Sequence, residues 1–139
     1  MSIGNNKSAR ILKVSCWGLG LLLFPAAAAT AEVDFDRDIR PILSDNCFQC
    51  HGPDAAKREA ELRLDTRAGL FGDLDDYKVV APGNLDQSEL YYRISHEDPE
   101  ERMPPEEADR HLKEREIALI NTWITEGANW KQHWSLMPP

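Results

Sequence analysis

Cysteine is scarce in this chain of 139 residues, with three in all at positions 16, 47 and 50. A structural zinc site needs four ligands, and beyond Cys47, Cys50 and His51 there is no second tight pair to complete one. A thioredoxin-like redox pair calls for a βαβ context, whereas the residues before Cys47 read as helix. Long apolar runs are also missing. The one candidate, Val14 to Phe24, falls short of the ~20 residues a spanning helix needs. Positive charge is short as well. All 24 acidic residues lie after position 31 and three of the 16 basic ones before it, which leaves 13 against 24, a formal −11 from Glu32 onward. Such a balance argues against nucleic acid or an anionic membrane surface as partner. It suits a solvated acidic surface, or steering towards a basic redox partner.

The first 31 residues have the pattern of a signal peptide. Lys7, Arg10 and Lys13 precede the apolar run, and Ala29-Thr30-Ala31 forms an A-x-A cleavage pattern. Cleavage after Ala31 predicts an exported chain, periplasmic or in the cell envelope, with no stable membrane insertion; the alternative is an uncleaved anchor. Cys16 would leave with the peptide, and Lys13 three positions before it does not suit lipid attachment. What remains is one small domain, expected over 32–129, followed by a tail or linker over 130–139 that carries Trp130, Trp134 and a closing proline pair.

In this setting Cys47-Phe48-Gln49-Cys50-His51 stands out. Two cysteines three positions apart and an adjoining histidine form the attachment pattern of c-type haem. Each thiol adds across one porphyrin vinyl group, and the histidine then offers its imidazole to the iron as proximal ligand. A compartment outside the cytoplasm is where such attachment takes place, so motif and leader agree.

Periodicity places helices around the motif. Phe35, Ile39, Ile42 and Leu43 share one face of a segment from Val33 to Asn46, with Asp34 or Asp36 as cap and Pro41 opening or kinking the helix. Thr66 to Gly72 holds one turn. Asp86 and Glu89 match a capping box for a helix over 87–95 with Leu90, Tyr91 and Ile94 on its apolar face. Ile117, Ile120, Trp123 and Ile124 form the stripe of the last helix, which stops at Gly127. Leu62–Asp65 reads as a short strand beside Tyr77–Val80.

For the sixth iron position the chain after Ala31 offers two thioethers, Met103 and Met137. Met103 sits among charged neighbours and precedes Pro104-Pro105, which stiffen its loop. A ligand role accounts for it better than core packing does, although methionine also serves as a gap filler. Met137 shares the Met-Pro-Pro context but falls in the tail. His96 and His111 are the imidazole alternatives, and His133 faces water.

The runs Phe35-Asp36-Arg37-Asp38-Ile39-Arg40-Pro41-Ile42-Leu43 and Cys47-Phe48-Gln49-Cys50-His51-Gly52-Pro53 resemble the planctomycete-type cytochrome c domain. So do Leu62-Arg63-Leu64-Asp65, Val80-Ala81-Pro82-Gly83, Ser88-Glu89-Leu90, Arg102-Met103-Pro104-Pro105, and the closing Trp123-Ile124-x-x-Gly127-Ala128-x-Trp130 with His133-Trp134. The resemblance implies an all-α, class I cytochrome c-like domain around one covalent haem c, with at most a minor β pairing. It assigns Cys47 and Cys50 as anchors, His51 as proximal and Met103 as distal ligand. It also implies single-electron transfer to a redox partner protein or a downstream domain, since such domains usually open larger exported proteins. Lys113 departs from the Ser or Thr that often caps the last helix there. The rival readings are an electron-input or open-site haem module of a larger enzyme, and a non-haem CxxC interaction module. By itself the domain need catalyse nothing.

Overall fold

The computed structural model describes Met1, residues 32–74 and residues 76–130. The signal-peptide reading, Cys16, His133, Trp134 and Met137 lie outside the described residues.

The chain from Asp34 winds into a helix because its ends are provided for. Asp34 Oδ1 accepts from the Arg37 amide at 3.0 Å, capping a π-helical turn, Phe35–Ile39. Pro41 falls in the first turn of α1 (Arg40–Asn46), where its missing N–H is no loss. A short helix α2 (Phe48–His51) continues it almost directly. The Cys47 amide donates to Leu43 O and the His51 amide to Cys47 O, each at 2.8 Å. The whole C-x-x-C-H run is thus carried on helical turns. Gly52 ends them, and a Cβ there would stand 2.1 Å from the Phe48 carbonyl oxygen, so only glycine permits this close approach.

Six further elements follow α2. Thr66 caps α3 (Arg67–Leu70) by accepting from the Gly69 amide at 3.1 Å. The strands β1 (Asp73–Leu74) and β2 (Tyr77–Lys78) pair antiparallel, Asp73 opposite Lys78. Helix α4 spans Glu89–Ser95 and α5 spans Glu114–Thr125, with a 3-10 turn, Glu106–Ala108, between them. The described residues therefore hold five α-helices and one two-stranded ribbon. The all-α expectation with a minor β pairing is met.

Two local readings need correction. Leu62–Asp65 forms no strand, and the ribbon lies at 73–78 instead, because the Leu64 amide is spent on the His51 carbonyl at 2.8 Å. The box at Asp86 and Glu89 does not form. Asp86 is exposed, and α4 begins only after Ser88, whose buried hydroxyl accepts from the Ala81 amide at 2.9 Å and donates to Asn84 O at 2.7 Å. At α5 the Lys113 amide donates to Glu116 Oε2 at 2.8 Å, and a lysine side chain has no acceptor with which to return the bond. Gly127 does end α5, with φ +102°.

The core gathers Phe35, Ile39, Leu43, Leu70, Ile120, Trp123 and Ile124, all essentially buried. Helix α5 packs on α4 and on the Phe35 turn. Trp123 donates its indole N–H to Asn129 O at 3.2 Å, satisfying the polar edge of a buried ring. Trp130 packs onto this core, its ring centroid 4.0 Å from Phe35 and 6.2 Å from Phe71.

Candidate functional site

The helical run 40–51 ends with Cys47, Cys50 and His51 on one side, and the loop after it folds back to pin them. The Glu59 amide donates to Cys50 O at 2.8 Å, and Arg58 donates to the carbonyls of Gly52 and Pro53 at 3.2 and 3.1 Å. Residues 52–64 thereby strap the motif through its backbone and leave the side chains to the interior. Both cysteines are free thiols. Burial, and then the neighbouring Cys50, push the Cys47 thiol up to about 12, so it stays protonated and is a poor thiolate for exchange chemistry.

His51 is half-buried, and its Nδ1 is enclosed without a hydrogen-bond partner. Burial lowers its pKa, with the backbone of Glu59 acting in the opposite sense, and so favours the neutral ring that a metal ligand must be. A buried polar atom without a partner costs free energy and calls for an explanation.

The surroundings supply one. Cys47, Cys50, His51, Met103 and Pro104 line a common cavity of about 160 Å³, with Arg110 at its wall donating to Asp45 O. A second cavity of about 60 Å³ adjoins Cys47, His51 and Met103 and is walled by Leu62, Leu64, Val79 and Ile94. A third hollow of about 440 Å³ takes Met103 and Pro104 together with His96, His111 and Leu112. Met103 borders all three and remains 37% exposed, unusual for an apolar side chain with cavities beside it.

Met103 therefore comes together with the C-x-x-C-H residues, whereas His96 and His111 do not line the thiol cavity. His96 Nδ1 already accepts from the Asp98 amide at 3.1 Å, and its ring lies 4.7 Å from Tyr92. His111 is exposed. A larger hollow of about 730 Å³ lies elsewhere, between β2 and α4, with charged walls and no residue of the motif. No three His, Cys, Asp or Glu side chains converge on a metal-binding arrangement among the described residues.

A thiol pair on helical turns, an imidazole with an unpartnered buried nitrogen, apolar walls and a thioether on one cavity fit a covalently held haem. Sequence reasoning missed the walls at Leu62, Leu64 and Val79, which it read as strand residues and not as part of the site. It also missed Arg93, whose carbonyl accepts the Met103 amide at 2.9 Å. Leu90 and Ile94 were foreshadowed as the apolar face of α4.

A mostly helical fold closed around such a site defines a haem-binding cytochrome c domain. Residues 47–107 match the family model for Planctomycete cytochrome C, from the first cysteine of the motif to the acidic turn after Met103. Over that stretch the chain is similar to planctomycete-type cytochrome c domains. No curated protein and no solved structure matches it.

Proposed function

We propose that this protein is a single-electron carrier working outside the cytoplasm, with one haem c held covalently by Cys47 and Cys50 and ligated by His51 and Met103. The observation that carries this reading is the shared cavity of Cys47, Cys50, His51 and Met103. Haem c, when bound, supplies reversible one-electron chemistry at its iron. The chain's own residues hold and shield it. Cys47 and Cys50 anchor through thioethers, and burial keeps the His51 ring neutral and ready to ligate. Leu62, Leu64, Val79 and Ile94 exclude water, which limits reorganisation and keeps the site from other reactions. Met103, a soft neutral ligand, raises the potential relative to a second histidine.

The A-x-A pattern before Glu32 supports export, and no helix among the described residues is long and apolar enough to cross a membrane. The acidic balance supports a basic redox partner or a downstream domain as the recipient of electrons. Expression in an exporting host with the cytochrome c maturation machinery, followed by haem staining of a denaturing gel, tests the reading. A stained band at the mass of the cleaved chain is expected, and an unstained band would refute covalent attachment.

A further inference from the structure

The thioether of Met103 is poorly packed for a ligand, so something other than its own side-chain contacts must hold it in place. The neighbouring backbone shows what does. Arg93, in the middle of α4, accepts the Met103 amide on its own carbonyl at 2.9 Å. Its guanidinium reaches the same loop two residues earlier, donating to the Glu101 carbonyl at 3.2 Å and to the Glu101 carboxylate. One residue thus grips the loop at both 101 and 103, on either side of Arg102.

We propose that Arg93 is a positioning residue for the distal ligand, clamping the loop 101–103 to α4 so that Met103 stays on the thiol cavity. This rests on Met103 being that ligand. The clamp has a fixed base, because Leu90 and Ile94, flanking Arg93 on α4, are buried. Glu89, one turn earlier, binds Arg93 Nε at 2.7 Å and turns the planar fork towards Glu101. Arg93 also lines the small apolar cavity that Cys47, His51 and Met103 share, so the clamp closes directly over the site. Glu101 is half-exposed, and such a pair contributes little to overall stability. Its effect falls instead on how often the loop leaves the cavity. A ligand that binds only the open loop gains apparent affinity in proportion to the open fraction.

The test uses haem-loaded protein and four variants, Arg93→Met, Arg93→Lys, Glu101→Ala and Met103→Ala. Readouts are the iron–sulfur charge-transfer band of the ferric form and the rate of imidazole binding. Arg93→Met should keep covalent haem and helical circular dichroism while the band weakens and imidazole binds about tenfold faster, the change a tenfold rise in open-loop population would give. Arg93→Lys should restore only part of this, since an ammonium cannot span Glu89 and Glu101 as a fork does. If Arg93→Met does not fold, Glu101→Ala, which leaves the Arg93–Glu89 pair intact, should show the faster binding. Wild-type band and imidazole rate in the foldable variants, alongside loss of the band in Met103→Ala, would overturn the clamp and leave the ligand assignment standing. A wild-type protein without the band, unchanged by Met103→Ala, would overturn both.

Discussion

The two ends of this small domain are finished to different degrees. At one end Phe35 and Phe71 each pack against both Trp123 and Trp130, with ring centroids 4.0 to 6.2 Å apart in tilted or edge-on pairs, Arg40 lies over two of the rings, and the Trp123 N–H has its acceptor. At the other end His51 Nδ1 is buried and unpaired, two thiols face a cavity, and a methionine stands exposed beside three hollows. The first end reads as a self-sufficient core and the second as a receptacle. In a domain this small, which buries only part of its surface, a bound haem would complete the core.

The sharpest way to break this contrast acts on the receptacle. Replacing Cys47 and Cys50 together by serine should abolish haem staining on a denaturing gel outright, whereas serine at a single cysteine should leave a weaker, singly attached product. Haem that stays attached in the double variant would mean the thiols are not the anchors. The next largest effect belongs to the finished end. Trp123→Ala should cost roughly 3–5 kcal/mol in urea unfolding of the haem-loaded protein, since it empties a fully enclosed site. A cost below about 1 kcal/mol would mean the aromatic cluster is not what holds the fold together.

The smallest effect comes from the strap between the two ends. Asp65 pairs with Arg63 at 2.5 and 2.9 Å, and that hydrogen bond lowers its pKa against the opposing effect of burial. A carboxyl whose folded pKa is depressed stabilises the protein above its unfolded value of about 4 and loses that contribution as pH falls through the lower folded value. Asp65→Asn should therefore lower the melting midpoint by no more than a few degrees near neutrality. The gap to wild type should shrink as pH falls from about 5 to about 2. A gap that widens on acidification would reverse the assigned sign.

Much of the finished end was legible in the sequence. The spacing of Phe35, Ile39, Ile42 and Leu43, the stripe through Trp123, and the stop at Gly127 are local signals that the fold keeps. The failures share a cause. Ser88 displaces the Asp86 cap by bonding to Ala81 and Asn84, and the Leu64 amide binds His51, because buried donors and acceptors are claimed by partners that periodicity does not reveal. Trp130, assigned to the tail, packs its ring against Phe35, a contact between residues distant in the sequence. At the site, Cys47, Cys50 and His51 could be read because attachment chemistry dictates their spacing. Met103 stood out by its uncomfortable setting. The grip of Arg93 depends on which carbonyls the fold brings within reach, and no side-chain pattern encodes that.

The most direct measurement is the ferric absorption spectrum of the mature protein beside that of Met103→Ala. His51 and Met103 as the axial pair predict an iron–sulfur charge-transfer band in the wild type that disappears in the variant while covalent haem and helix content persist. The same spectrum with and without Met103 would contradict the pair, and would move the distal ligand to His96, His111 or Met137.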